Sequence, residues 1–211
     1  MKISYAITVC NEREEIEKLL SQLFMCTRPE DEVVVLYDEK NGDPEVWEYL
    51  NLVALTDDNQ FKGVKIHKSE FNGHFADWKN YLNFFCTGDY IFNIDADEMP
   101  HKFLLENLPY VLENSDVDLL YVSRINTVEG LTQQHIEKWR WNVDENGWIN
   151  FPDHQARIYR NSPEIKWEGK VHETVVGFKT YSPLPKLEEW CLYHPKTIER
   201  QERQNNYYDT L

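Results

Sequence analysis

Between Ile3 and Ile94 the chain alternates short apolar runs with stretches of helical period, and few folds accommodate that alternation. Ile3 to Val9 is apolar and has the length of a buried strand. Glu12 to Phe24 places Ile16, Leu19, Leu20, Leu23 and Phe24 at helical spacing, with acids in the first turn, where the helix dipole favours them. Asp31 to Asp38 reads as a second strand. Lys40 to Pro44 is turn chemistry, and Pro44 to Leu52 is a helix that opens on proline. Val64 to His67 is a third strand, His74 to Phe85 a helix with Phe75, Trp78, Leu82 and Phe85 on one face, and Tyr90 to Ile94 a fourth strand. This order calls for an α/β fold with a mostly parallel central sheet, right-handed crossovers and helices on both faces. The second half differs. One helix, Lys102 to Leu112, precedes β-type runs at Leu119–Ser123, Gln155–Tyr159, Val171–Val176 and Leu187–Tyr193, and a polar helical tail covers Lys196 to Leu211. With no repeat, low-complexity tract or linker, residues 1–211 read as one domain. Residues 1–98 form a nucleotide-binding half, and residues 99–211 form a small, irregular, β-rich half ending in a helix.

Charge narrows the partners. Twenty-two basic residues against 37 acidic ones in 211 give a net charge of −15. That balance argues against non-specific nucleic-acid binding and against docking on anionic lipid. No apolar run has the length of a membrane span. The N-terminal apolar run meets Asn11-Glu12-Arg13-Glu14 too soon to be a signal peptide, and the four cysteines (Cys10, Cys26, Cys86, Cys191) show no CxxC spacing. Reduced, mostly buried thiols in a cytoplasmic protein are expected.

The candidate chemistry lies where the fourth strand runs into Asp95-Ala96-Asp97-Glu98. In open α/β sheets, ligands sit at the carboxyl ends of the strands. Residues i and i+2 of an extended segment point the same way, so Asp95 and Asp97 are expected to face one site suited to a Mg²⁺ or Mn²⁺ ion and diphosphate oxygens. The Asp-x-Asp pattern alone is weak. It recurs as Asp116-Val117-Asp118, which precedes its strand and reads as solvated turn residues. Other strand ends agree with the first pair: Thr8 and Asn11 follow strand one, and Asp38 ends strand two. Asn11 reads equally as a helix N-cap and Asp38 as a turn-starting residue. Lys79 and Asn80 either reach a phosphate or ribose or form the exposed face of their helix.

The combination resembles the GT-A glycosyltransferases of family 2. It is most similar to the branch containing lipopolysaccharide-core β-glucosyltransferases. The resemblance is carried by Ala6-Ile7-Thr8-Val9-Cys10-Asn11-Glu12, by Glu32-Val33-Val34-Val35 to Asp38 with Asp43, by Ala76-Asp77-Trp78-Lys79-Asn80, and by Gly88-Asp89-Tyr90 running into Asp95-Ala96-Asp97-Glu98. Downstream it is carried by Phe151-Pro152-Asp153-His154-Gln155-Ala156-Arg157-Ile158-Tyr159-Arg160, by Trp167-Glu168-Gly169-Lys170-Val171-His172-Glu173, and by His194. Two positions depart from the pattern. Thr8 stands where many members carry Pro, and Lys79 stands where Arg is usual, which keeps the charge but loses the bidentate fork.

The resemblance implies inverting transfer from a UDP-sugar donor to a saccharide or glycoconjugate acceptor, with Mn²⁺ or Mg²⁺. Asp97 would hold the metal, and Asp95, beside Ala96, would contact the ribose or assist the metal through water. Asp38 would read the uracil or ribose, and Thr8, Asn11 and Glu12 would line the nucleotide, with Lys79 and Asn80 nearby. His194 is a further metal or diphosphate ligand or, equally, a strand-end histidine before Pro195. Glu173, oriented by His172, is the expected base and Asp153 the rival; Asp95 and Asp97 are poor bases if they carry a cation. Trp148 and Trp167 either stack on sugar or anchor loops. Two other classes fit the residues less well. A sugar nucleotidyltransferase would carry a Gly-rich basic loop after strand one, where this chain has Cys10-Asn11-Glu12-Arg13-Glu14. A non-catalytic carbohydrate-binding relative would have lost the carboxylate motif, which is intact. A duplex-DNA acceptor is disfavoured by the charge.

Overall fold

A computed structural model describes residues 1–55 and 64–208, the side chains of 206–208 excepted. Strands β1 (Ile3–Val9), β2 (Glu32–Asp38), β3 (Val64–Ser69) and β4 (Tyr90–Asp95) run parallel in the spatial order β3-β2-β1-β4. The crossovers hold α1 (Arg13–Cys26), α2 (Pro44–Leu55) and α3 (Phe75–Asn83). The short β5 (Met99–Pro100) and α4 (Lys102–Glu113) lead into the second half, where β6 (Leu119–Glu129), α5 (Gln133–Trp139) and β7 (Ile149–Arg160) follow. β7 fits between β4 and β6 and is antiparallel to both. A two-stranded ribbon, β8 (Lys166–Glu168) and β9 (Thr174–Val176), precedes β10 (Tyr181–Pro183) and β11 (Leu192–Thr197), which both pair parallel to β6. The chain then enters α6 (Ile198–Tyr208). Among the described residues the main sheet has nine strands.

Strand periodicity divides the core between the two faces. Ile3, Tyr5, Ile7 and Val9 of β1, with Tyr90, Phe92 and Ile94 of β4, meet Ile16, Leu19, Leu20 and Leu23 of α1 and the apolar sides of α2 and α4. Ala6 and Ile91 point the other way, against Ala76, Trp78 and Leu82 of α3 and against Trp167 and Val175 of the ribbon. Every residue of β2 is buried, as expected of a strand covered on both faces. Its first residue, Glu32, is a buried carboxylate held by Lys2 and Lys65 (2.8 Å each), Ser4 Oγ and the Thr87 N–H (2.6 Å each). Burial alone would raise its pKa, but these donors hold it well below the usual carboxylate range. The turn before β4 needs Gly88: a Cβ there would lie 2.7 Å from the Ser4 backbone nitrogen.

The first half follows the expected order, and α1 begins at Arg13 with Glu12, not Asn11, at the N-cap. The second half departs in several places. The expected Leu119–Ser123 and Gln155–Tyr159 runs are parts of the longer β6 and β7. Of Val171–Val176 only Thr174–Val176 is strand, because Gly169 (φ +106°) and His172 (φ +54°) turn the chain back. Leu187–Tyr193 divides into a 3-10 turn, Glu188–Trp190, and the start of β11. Lys196 belongs to β11, α6 starts at Ile198, and residues 209–211 of the expected tail lie outside the described residues. Asp118 is not merely solvated: it accepts from the Lys179 and Thr180 N–H groups (2.8 and 3.1 Å) and pairs with Arg160.

Candidate active site

The carboxyl ends of β1, β2 and β4, the β6–β7 pair, β11 and the first turns of α6 surround a cleft of about 1570 Å³. Its walls hold Thr8, Asn11, Glu12, Asp38, Lys79, Asp95, Ala96, Asp97, Asp153, Trp167, His172, Glu173 and His194. Asn80 and Trp148 are not among them.

The two carboxylates after β4 take different partners. The chain leaves the strand at Asp95 and turns at Ala96, whose N–H donates to Thr8 O (3.1 Å); Glu98 closes the turn through its N–H to Asp95 O (2.8 Å). The segment is therefore a turn beyond Asp95 and not the extended backbone expected, although both side chains line the same cleft. Asp95 Oδ2 accepts from Arg157 Nη2 at 2.7 Å, while its Oδ1 faces Thr8 Oγ1 (3.2 Å) and Lys79 Nζ (3.4 Å). Burial would raise its pKa, but Arg157, Lys79 and Arg124 outweigh this and hold it far below the ordinary range. Arg157 also meets the buried Glu98 at 2.5 Å, and Glu98 meets Arg124 at 3.1 Å. Arg124 in turn holds Asp153 (2.9 Å from Nε, 2.8 Å from Nη2). Asn126 and Gln155 complete the shell of Asp153 at 2.9 and 2.6 Å. Burial opposes ionisation of Asp153; Arg124 and these amides more than offset it, so its pKa is lowered.

Asp97 faces β11 and α6. Its Oδ2 lies 3.1 Å from His194 Nε2 and 3.3 Å from Arg200 Nη2. Burial raises its pKa, and the His194 contact with the charges of His194 and Arg200 carries it below the usual range. His194 is oriented from behind by Asn126, with Nδ1 2.8 Å from Oδ1. Arg200 continues to Glu12 (3.2 Å) and Glu15 (2.9 Å) of the first half. Glu12 folds its other oxygen onto the Cys10 and Asn11 N–H groups. Burial, with Asp97 nearby, raises its pKa despite those donors and Arg200. Lys196 lies within electrostatic reach of Asp97, Arg124 and Arg200 and donates to Gln204; burial and the two guanidiniums lower its pKa.

Glu173 sits apart from Asp97, in the turn of the ribbon. Its Oε1 is 2.8 Å from Lys79 Nζ, which is buried over the ring of Trp167 at 4.4 Å. Lys79 is thus neither exposed nor open: it bridges Glu173 and Asp95. Asn80 does not reach the cleft. Its amide pairs both ways with the Trp167 backbone (2.8 and 2.9 Å), locking α3 to β8. Trp167 is 5% exposed, capped by Lys79 and bonded through Nε1 to Tyr159 OH, so it anchors the ribbon in the cleft wall. Trp148 stacks edge-on against Phe151 outside the cleft. Asp38 accepts from the Lys40, Asn41 and Phe71 N–H groups and the Asn41 amide, the bonding of a turn-starting residue on the cleft wall. His172 is an exposed residue at the rim. Burial beside Glu12 and Asp38 pushes the Cys10 thiol up to about 12, so it is not a nucleophile at neutral pH. Glu98 and Arg157 stand within the motifs without an expected role, and Arg124, Asn126 and Arg200 lie outside them. A signal existed for Arg124 and Arg157, each a full charge within a β-type segment that is buried in part, where a charge needs a partner.

The sequence matches the profile of glycosyl transferase family 2 from residue 4 to residue 182. The chain belongs to that family. No curated protein matches it at a significant level. Among solved structures this family member is similar to S. aureus TarS 1–349, at 16% identity and a TM-score of 0.65, over 92% of this chain and 60% of that one. The same region of TarS in complex with UDP-GlcNAc aligns at 18% identity and 0.65, over 93% and 59%. Mannosyltransferase PcManGT from Pyrobaculum calidifontis, in complex with GDP-Man and Mn²⁺, aligns at 21% and 0.50, over 58% and 35%. The chain thus spans about 60% of the TarS segment. At these identities the likeness is one of fold, the Rossmann-like GT-A arrangement of family 2 glycosyltransferases.

Proposed function

We propose that this glycosyltransferase moves a sugar, with inversion and with help from a divalent cation, from a UDP-sugar to a hydroxyl of a saccharide or glycoconjugate acceptor. The reading rests on one observation: Asp97 and His194 face each other at 3.1 Å at the mouth of the sheet, while Glu173 stands separately in the same cleft. Among the described residues no group of three or more His, Cys, Asp or Glu gathers as a closed metal site. A carboxylate plus one imidazole nevertheless suits an ion that takes its remaining ligands from diphosphate and water. His194 has the second-shell partner a metal-binding histidine needs, Asn126 on the other ring nitrogen. Asp97 and His194 would hold Mn²⁺ or Mg²⁺, which would neutralise charge on the departing nucleoside diphosphate. Asp95, already neutralised by Arg157, fits a ribose or a water.

Glu173 is the base of this reading. Its carboxylate takes the proton of the acceptor hydroxyl as the new oxygen–anomeric carbon bond forms on one face and the bond to the diphosphate breaks on the other. Lys79 fixes its orientation. Asp153 is less suited: four donors engage its oxygens and its pKa is lowered. The acceptor reading, a saccharide or glycoconjugate, draws on the resemblance of the β7 and ribbon motifs to the branch containing lipopolysaccharide-core β-glucosyltransferases. UDP and UDP-GlcNAc in the TarS complexes support a uridine donor; GDP-Man and Mn²⁺ in PcManGT support the cation but name another base. No described helix is long and apolar enough to cross a membrane, and the four thiols are free, which fits a cytoplasmic location.

The test is release of UDP from a panel of UDP-sugars with saccharide acceptors and Mn²⁺ or Mg²⁺. Turnover should require the cation, and Asp97→Ala should lower it by about 100-fold or more, since several kcal/mol of charge stabilisation are removed. Full metal-dependent turnover in Asp97→Ala would overturn the role of that residue.

A further inference from the structure

A second cavity, of about 190 Å³, lies between the ribbon and the β6–β7 pair. It shares Gln155, Trp167 and Glu173 with the large cleft, so the carboxylate read above as the base stands in the wall between the two spaces. Lys79, Asp95, Asp97 and His194 border the cleft and not the smaller cavity, which sets it apart from the space read for the nucleotide. Pockets that take drug-sized ligands measure roughly 300–1,000 Å³, so this one has room for a single sugar ring and not for a nucleotide. Its lining mixes polar and apolar groups. His154 and Thr174 are exposed at its rim, and Ala156 and Val175 give it an apolar side. His154 Nδ1 lies 3.3 Å from Ser123 Oγ, which ties the imidazole to β6. Tyr121 stands in the same wall and meets Tyr181 edge-on at 5.8 Å; Tyr181 in turn meets Phe178 edge-on at 5.8 Å. Tyr181 is 63% exposed. Aromatic rings thus lead from the cavity to solvent, and the outermost belongs to neither core cluster. A sugar ring has the matching chemistry: C–H faces that pack on aromatic rings and hydroxyls that need polar partners.

We infer that this cavity seats the terminal sugar of the acceptor, and that Tyr121 and Tyr181 carry the sugar next to it. The inference rests on the transfer reading above and deepens it: the acceptor is a saccharide chain that enters by its end, from the side of the ribbon. Inversion requires the attacking hydroxyl and the departing diphosphate on opposite sides of the anomeric carbon. The Asp97–His194 pair marks the side of the diphosphate, and Glu173 is common to both spaces. A hydroxyl held in the small cavity meets Glu173 without displacing the donor. Its proton passes to the Glu173 carboxylate, its oxygen forms the bond to the anomeric carbon, and the diphosphate leaves with the electron pair of the broken bond. His154 and Thr174 bond the remaining hydroxyls of that ring and set which sugar fits.

Saturation-transfer NMR on the full chain tests it. The probes are the methyl glycosides of glucose, galactose, mannose and N-acetylglucosamine and their disaccharides, each with and without UDP. At least one glycoside should bind, in the millimolar range of a lone sugar, and UDP should not displace it. Thr174→Trp, which fills the rim, and His154→Ala, which removes a hydrogen-bonding ring, should each weaken that glycoside by about tenfold or more. Calorimetric UDP affinity and the urea midpoint should stay at the parent values, which shows that both variants fold. Tyr181→Ala should weaken a disaccharide and leave its terminal monosaccharide unmoved. Unchanged glycoside affinity in either rim variant overturns the cavity assignment and leaves the transfer reading standing. So does displacement of the glycoside by UDP, since the sugar would then sit in the donor cleft. A parallel loss of UDP affinity in the rim variants, or no glycoside bound by the parent, also overturns it. Rim-dependent glycoside binding by a parent that binds neither UDP nor GDP overturns the nucleotide-sugar reading and leaves the cavity as a saccharide site.

Discussion

Lys79 and Glu173 make the sharpest pair at the scale of single residues. The ammonium lies between Glu173 (2.8 Å) and Asp95 (3.4 Å), with the indole of Trp167 beneath it, so three elements meet at one charge. Glu173→Gln keeps the shape and the contact to Lys79 but cannot take a proton. Its transfer rate should fall by about 10²–10⁴ with UDP affinity unchanged, as read from single-turnover UDP release against calorimetric binding. A matching loss of UDP affinity would make Glu173 a structural group. Asp153→Asn retains hydrogen-bonding capacity toward Arg124, and under this assignment its rate should stay within about tenfold of the parent, below the range expected for loss of a general base. A drop as large as that of Glu173→Gln would exchange the two roles.

Single elements show what can be read from a sequence and what cannot. The four parallel strands and the helices between them were legible, because burial on both faces forces long apolar runs and amphipathic helices. The carboxylate corner after β4 was legible by position. Its internal division was not: which carboxylate pairs with Arg157 and which with His194 depends on the turn at Ala96 and on strands sixty and a hundred residues away. The ribbon is not legible, because two positive-φ residues, Gly169 and His172, leave no mark in hydrophobic periodicity. Helix α5 went unseen although Thr132 caps it, its hydroxyl accepting from the His135 N–H while His135 Nδ1 accepts from Thr132 N. A polar helix with no buried residue has no apolar stripe to detect, and only the cap announces it. Thr132→Ala should therefore destabilise the protein by about 1 kcal/mol, seen as a lowered denaturant midpoint with an unchanged slope.

Taken as a whole, the molecule carries several carboxylates whose pKa values are depressed by folding: Glu32, Asp95, Asp97 and Asp153. Each binds fewer protons folded than unfolded. Their contribution to stability is therefore complete above the unfolded carboxylate range and is lost as pH falls through it toward the folded values. Glu12, whose pKa is raised, works in the opposite sense. Urea midpoints should thus drop steeply from about pH 5 downward, the unfolded groups titrating near 4. A flat profile to pH 3 would contradict the buried pairing of these groups. The position of β7 has a consequence for dissection. Because that strand comes from the second half yet covers the outer side of β4, residues 1–98 expressed alone would present β4 as a naked edge whose peptide groups invite other chains. Such a truncation is expected to sediment as aggregates instead of behaving as a free-standing nucleotide-binding unit, and a monodisperse, folded fragment would show that the boundary near residue 98 is a true seam.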